Sequence, residues 1–364
     1  MNYEQSYRRL ISGQSTGSGA SILRFLLAAG AIGYWPVVRL RNLLYSTRLL
    51  KAHHVDAAVI CVGNITVGGT GKTPLVVWLC NLVTRNSKCA ILTRGYKARA
   101  QQNADFEDEI AIFAESCPET QVIVNPDRVA GAAEAIDKYA AKVLIMDDGF
   151  QHRRLTRDLD IIAIDATQPF GYGRLFPSGL LREPVSSLKR ADAVVITRCD
   201  QVNSDELEGL ENKLLAINPN LVISRSVHAA LYAELANNEK VSIEQLRGKK
   251  IFAFCGIGNP DAFLNTIRAL GAKVAGSNIY DDHYHYTDGC LAEISQQAEE
   301  LGADLILTTQ KDWTKVVTNF RSQISDSKSS PPFAYLAIEI KFLTGEEKLT
   351  ALINDKLAGK IARK

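Results

Sequence analysis

From Ala57 onward, apolar residues gather in short unbroken runs: AVICVG, CAILTRGY, QVIVN, KVLIMDD, DIIAIDA and AVVITR, separated by stretches with helical spacing. A strand that is apolar on both faces must be covered on both, so these runs predict a parallel sheet with helices on either side. A second series, KIFAFCGIG, AKVAGS, DLILTT and FAYLAIEI, begins at Lys249, after a polar stretch around Asn237–Glu239. The pattern predicts an α/β protein with one domain over 52–235, a smaller α/β domain over 236–364, and no internal repeat.

The amino-terminal segment follows another pattern. Residues 1–20 are polar and rich in Ser and Gly, without a period, and read as a mobile lead. Phe25–Val38 then runs 14 residues without a charge, where crossing hydrocarbon as a helix takes about 20. Downstream, Val38, Leu40, Leu43, Leu44 and Leu50 partly keep helical spacing around Arg39, Arg41, Arg48 and Lys51. Between Gln5 and Val55 there are seven Arg/Lys and no Asp/Glu. A basic, aromatic and apolar helix over 21–51 suits an anionic membrane interface; the bland alternative is a core helix with a solvated basic edge. No signal-peptide pattern precedes it.

Composition narrows this only a little. The chain has 364 residues, 46% hydrophobic and 23% charged, with a formal net charge of +2, too near zero for nucleic acid to be the expected partner. Its seven cysteines are dispersed and contain no C-x-x-C pair, so reduced, buried thiols are expected rather than a disulfide framework or a zinc site.

The chemistry lies where the strands end. AVICVG runs into Asn64-Ile65-Thr66-Val67-Gly68-Gly69-Thr70-Gly71-Lys72-Thr73-Pro74 and then an apolar helix. Such a loop turns backbone N–H groups onto phosphate oxygens, with Lys72 reaching the β/γ-phosphates and the Thr73 hydroxyl free to ligate Mg²⁺. Thr66 stands where the strict P-loop pattern has its first glycine, yet strand, loop and helix come in the required order. Residues Thr66 to Thr73 are therefore the expected nucleotide cradle of a P-loop NTPase-type domain. Val143–Met146 leads into Asp147-Asp148-Gly149-Phe150-Gln151-His152, two carboxylates at a strand's carboxyl end, where open α/β sheets bind ligands.

GNITVGGTGKTP (63–74), TRGY (93–96), DDGFQHRRL (147–155), FGYGRLFPSGLLREP (170–184), GIGNPDAF (256–263) and DHYHYT (282–287) together resemble the tetraacyldisaccharide 4'-kinases, which phosphorylate the disaccharide precursor of lipid A. The resemblance extends to about Lys315. It implies ATP and Mg²⁺ as cofactors, an acylated disaccharide lipid as acceptor, and a peripheral monomer on the cytoplasmic face of the inner membrane, its site between the two domains. It implies Thr73, Asp147 and Glu183 at the metal and Asp148 and Arg182 at the reacting phosphate. Asp108 and His283 are implied as an acceptor-activating pair, although Glu107 and Ile110 depart from the family's G-D-E-P-like segment. Gln310 stands where the family usually has Glu and is kept as a second-domain contact. VVITRCD (194–200) suggests the competing reading, a P-loop GTPase or metal-insertion chaperone, through its likeness to a guanine-reading motif that Arg198 spoils. A membrane-bound nucleotide switch without phosphotransfer is the other alternative.

Overall fold

A computed structural model describes residues 3–94, 107–282, 284–317 and 331–361. In chain order the elements are α1 (Tyr3–Ile11), α2 (Ser18–Ser46), β1 (Ala58–Gly63), α3 (Lys72–Thr84), β2 (Cys89–Thr93), α4 (Glu107–Ser116), β3 (Gln121–Val124), α5 (Arg128–Tyr139), β4 (Val143–Asp147), β5 (Leu159–Asp165), β6 (Ala193–Thr197), α6 (Ser204–Ile217) and β7 (Val222–Leu235). There follow β8 (Lys240–Ser242), α7 (Ile243–Leu246), β9 (Lys250–Cys255), α8 (Pro260–Ala269), β10 (Lys273–Ile279), α9 (Asp288–Glu300), β11 (Leu305–Thr309), α10 (310–317), β12 (Phe333–Thr344) and α11 (Glu346–Ile361).

One twelve-stranded sheet runs through both halves in the order β10-β9-β11-β12-β7-β6-β5-β1-β4-β2-β3, with β8 added on β7. Its pairs are parallel except β7 with β12 and β7 with β8. The apolar runs inside the sheet are buried on both faces, as their composition requires, whereas QVIVN and AKVAGS form its two edges, β3 and β10, and stay largely half-buried or exposed because each has a neighbour on one side only. On β1, Ala58, Ile60 and Val62 pack with Leu75 and Leu79 of α3, while Val59 and Cys61 join the opposite cluster with Leu188 and Leu210. A second pair of clusters surrounds β9 and β11, with Phe252, Phe254 and Trp313 on one face and Ala253, Ile267 and Leu307 on the other.

The division read from the sequence at residues 235 and 236 falls at the end of β7, and the sheet continues across it. Strands β7 and β12 form a long antiparallel ribbon joining the halves. The tail then returns to the first half: Leu349 and Ile353 of α11 enter the cluster around β1, and Trp78 packs on Phe342 and donates to Glu346. Strand β7 escaped the apolar pattern because Ser, Arg and His interrupt it and most of its residues are only partly buried.

The amino terminus also differs from the mobile lead expected. Tyr3–Ile11 is helical, Leu10 and Ile11 are buried, the Tyr7 hydroxyl donates to the Pro177 carbonyl at 2.7 Å, and Arg174 donates to the Ile11 carbonyl. Helix α2 then runs 29 residues, through Pro36, long and apolar enough by length and composition to cross a membrane. One side docks: Val38 is buried, Tyr34 donates to the Arg182 carbonyl and Arg41 to that of Gln151. The other side leaves Phe25, Ile32 and Val37 exposed. All seven cysteines are free and six are buried.

Candidate active site

The loop after β1 is braced from several directions. Asn64 donates to the Thr70 hydroxyl, the Thr197 hydroxyl to the Thr70 carbonyl, and Arg198 to the Gly69 carbonyl. Thr66 forms an antiparallel bridge with Leu181, flanked by Val67 N–H donating to Leu180 and Arg182 N–H donating to Ile65. Thr66 is thus buried in a strand-like pairing that suits a β-branched residue, which accounts for its place where the strict motif has glycine. It sits behind the loop, whereas Val67 through Thr73 line a cleft of about 1520 Å³. Gly71 caps α3 in the left-handed region, with φ of 79°, a conformation costly for any residue with a Cβ.

At the mouth of the loop two cations converge on one carboxylate. Asp148 lies 3.3 Å from Lys72 Nζ and accepts from Arg182 through both oxygens at 2.8 and 2.9 Å. Burial alone would raise the Asp148 pKa, but Lys72 and Arg182 outweigh it and hold the group well below the ordinary carboxylate range. Its neighbour behaves in the opposite way. Asp147 is pushed up to about 7 by burial and by the negative charges of Glu109 and Asp148, against the pull of Lys72 and Arg128. Arg128, itself buried and brought down to about 10 chiefly by desolvation, donates to the Asp147 carbonyl. One backbone step therefore separates a fixed anion from a carboxyl poised near neutrality.

Glu183 was expected at the metal; it lies deeper, accepting from Asn42 of α2 and from Arg190, with its Oε1 buried and unpartnered. Asp108 lies in the first turn of α4, the helix whose Glu109, Ile110 and Ile112 line the cleft; its side chain, like the whole of His283, lies outside the described residues. Next to His283 in sequence, Asp282 faces the cleft and pairs with Lys311 at 3.1 Å. Gln310 donates to Glu115 of α4, so it does link the second half to the first.

Several residues that sequence reasoning passed over complete the site. The turn between β9 and α8 seats against the P-loop: a Cβ on Gly258 would lie 2.5 Å from the Gly69 nitrogen, which only glycine permits. Asn259 donates to Asp165, which also holds Arg198, and Asp312 accepts from Gly256 N–H. Arg198 and Thr197, the core of the guanine-reading likeness, are thus spent on bracing Gly69 and Thr70. Glu109, Arg128 and His228 also face the cleft. GIGNPDAF was the sequence signal for Gly258 and Asn259, and VVITRCD for Thr197 and Arg198, read there for another role; Asp165, Arg128 and His228 are single polar residues in ordinary surroundings.

Thr73 and Asp147 offer oxygen donors at the loop, and the described residues hold no cluster of three or more His, Cys, Asp or Glu that would cage a metal. This donor set suits Mg²⁺, which keeps waters and relies on one or two carboxylates together with substrate phosphates. Burial first, and then the negative charges of Glu109 and Asp148, drive Asp147 toward neutrality; a dication beside it would offset that charge.

The family model described as Tetraacyldisaccharide-1-P 4'-kinase matches residues 23–358. Among relatives, the tetraacyldisaccharide 4'-kinase of Halothermothrix orenii is 34% identical over 358 residues, covering 92% of this chain and 92% of its own. That of Syntrophus aciditrophicus is 35% identical over 366 residues, covering 94% and 95%. The crystal structure of "apo" form LpxK from Aquifex aeolicus in complex with ATP aligns with a TM-score of 0.67 and 28% identity, covering 92% of this chain and 99% of that one.

Proposed function

The chain belongs to the tetraacyldisaccharide 4'-kinase family, and from that premise we propose how its cleft carries out the family's reaction. It is a lipid A 4'-kinase, transferring the γ-phosphate of ATP to the 4'-hydroxyl of an acylated disaccharide 1-phosphate. The observation that carries the proposal is the convergence of Lys72 and Arg182 on Asp148 at the mouth of the P-loop. Two cations held about one anion form a site for negative charge, and the oxygens of a triphosphate would compete with Asp148 for them. Lys72 then lies along the β/γ-phosphates, and Arg182 faces the charge that spreads over the transferring group. Asp148 keeps both cations aimed, and its depressed pKa makes it a positioning residue rather than a base.

Thr73 and Asp147 would hold Mg²⁺, and the ion would neutralise phosphate charge; Glu183, buried and off the cleft lining, instead anchors Asn42 and Arg190. Asp108 and His283 are proposed to position the sugar hydroxyl and accept its proton, since a hydroxyl is a poor nucleophile near neutral pH. The exposed apolar side of α2, above its docked Tyr34 and Asn42, supports seating of the protein on a membrane surface, which the proposal takes to be the cytoplasmic face of the inner membrane, with the protein a monomer. There the acyl chains stay in lipid while the sugar enters the cleft. The GTPase reading is not favoured, because Arg198 and Thr197 brace the loop instead of presenting a base-reading edge.

One experiment tests the reading. Purified protein is incubated with ATP, Mg²⁺ and a panel of acylated disaccharide 1-phosphates, and new phosphate is located by mass spectrometry. A single phosphate at the 4' position is expected. Asp108→Ala and His283→Ala, run alongside, should each lower kcat on the order of 10²–10⁴-fold with the KM for ATP little changed, and the double variant should lose far less than the product of the two. No product from any acylated disaccharide would refute the activity; losses that simply multiply would refute the pair.

A further inference from the structure

A P-loop holds its phosphate chain largely through inward-facing backbone N–H groups, to which the first turn of the following helix contributes. In this chain the third residue of α3 is Pro74, which has no N–H. The set of donors in that turn is therefore one short, with Gly71, Lys72 and Thr73 supplying the rest. The shortfall lies on the cleft, which Pro74 lines together with the loop.

A side chain from elsewhere in the fold stands beside the gap. His228 of β7 packs its ring against Gly71, so closely that a Cβ on Gly71 would collide with the imidazole Cε1 and Nε2. Strand β7 brings it there: β7 runs parallel to β6 as far as the pair Ile196–Arg225, and three residues later His228 lies beside the strand end where Thr197 and Arg198 grip the loop. Its Nε2 is shielded from solvent and has no hydrogen-bond partner in the described structure. Buried polar atoms are seldom left unpaired, and one that lines a binding cleft is available to a water, an ion or a ligand. Burial, reinforced by the positive charge of Arg198, brings the imidazole pKa down to about 3, so the ring is neutral at physiological pH. A neutral imidazole carries one N–H, and in the tautomer protonated at Nε2 it can replace a neutral peptide N–H like for like.

We propose that His228 is a nucleotide-binding residue whose Nε2 donates a hydrogen bond to the α/β-phosphate oxygens of ATP, in place of the amide that Pro74 removes. The proposal rests on the assignment of the P-loop to ATP and adds to it a contact from the ribbon that joins the two halves. Nucleotide binding is thereby tied to the position of β7, a strand outside the P-loop motif.

Full-length wild type is compared with His228→Leu, His228→Gln and Lys72→Ala for kcat, for the KM values of ATP and of the lipid, and for melting temperature without nucleotide. Leucine fills the space without a donor, while glutamine carries an amide N–H at similar reach. His228→Leu should raise the KM for ATP on the order of tenfold, leaving the lipid KM unchanged, and His228→Gln should recover most of the loss. A wild-type KM in His228→Leu, or glutamine as impaired as leucine, overturns the donor role and leaves the ring as packing for Gly71. Should His228→Leu fail to melt cooperatively, wild-type protein labelled with ¹⁵N-histidine is titrated with ATP: a shifted Nε2 signal supports the contact and an unmoved one overturns it. Lys72→Ala separates the two levels. If it abolishes turnover while His228→Leu is unaffected, only the His228 contact fails; if both behave as wild type, the P-loop assignment itself fails.

Discussion

Gly69 is gripped by Arg198 through its carbonyl and met at its nitrogen by the backbone of Gly258, whereas Phe25 and Ile32 of α2 leave 72% and 75% of their surface open. Both regions are rich in Gly and apolar residues, and both were singled out by sequence. The P-loop wall is determined from within: the Gly69 and Thr70 carbonyls and the Val67 N–H are each tied to a residue far away in the chain. Among the described residues helix α2 is held along Gly30, Tyr34, Val38, Arg41, Asn42 and Ser46, whereas Phe25, Ile32 and Val37 on its other side stay exposed. A wall with every partner inside serves chemistry that tolerates little displacement. An apolar face with none is suited to a partner outside, here a bilayer.

The contrast breaks most strongly at Lys72. Lys72→Ala removes a fixed cation where charge redistributes in the transition state, so kcat should fall on the order of 10²–10³-fold, read in the phosphorylation assay. Activity within a few-fold of wild type would mean that the braced wall is not the catalytic one.

A smaller effect distinguishes the two carboxylates inside that wall. Folded Asp147 keeps its proton up to about 7, against a reference value of 3.8, so between those values the folded state binds more protons. Its contribution to stability therefore declines as pH rises from about 4 to about 7. Asp148, with a depressed pKa, works in the other direction, its contribution being lost only as pH falls below the unfolded value. His152 and His228, brought down to about 4 and about 3 mainly by burial, oppose Asp147 by losing stability as pH falls below about 6.5. Wild-type melting curves would blur these opposing contributions; a single isosteric variant isolates one. Without nucleotide or divalent cation, Asp147→Asn should gain on wild type between pH 5 and pH 8, by at least about 1 kcal/mol. Parallel stability curves for the two proteins would show that Asp147 is already ionised at pH 5.

The mildest perturbation tests the other region. Phe25→Ser combined with Ile32→Ser touches neither the loop nor the docked side of α2, so the KM for ATP and the melting temperature should hold. Apparent KM for lipid presented in anionic vesicles should rise about three- to tenfold, since each large apolar side chain contributes up to about 2 kcal/mol when fully withdrawn from water. Sedimentation with vesicles unchanged by the double variant would place the membrane contact elsewhere. Added salt should weaken binding further, because Arg39 and its basic neighbours are screened.

The chain by itself determined whatever depends on neighbours in sequence. Continuous apolar runs announced the buried parallel strands, because such a run has nowhere else to go. The glycines, Lys72 and Thr73 announced a phosphate loop, since their spacing is the geometry. Asp147 and Asp148 announced themselves as carboxylates at a strand end, but nothing local said that one would be held ionised and the other driven to neutrality. That outcome depends on burial and on Glu109 beside Asp147, and on Lys72 and Arg182 around Asp148, which only the fold brings together. The same holds for the link from Asn259 to Asp165 and Arg198, and for the close seat of Gly258 on Gly69: their partners lie tens to nearly two hundred residues apart, and hydrogen bonds at that separation leave no period to read. Strand β7 was invisible for a related reason. Ser, Arg and His interrupt its apolar run, and its long pairing with β12 joins residues about a hundred positions apart. Sequence therefore set the fold class and the nucleotide loop, while tertiary structure decided the charge states, the bracing and the place of His228, because those are properties of distance rather than of order along the chain.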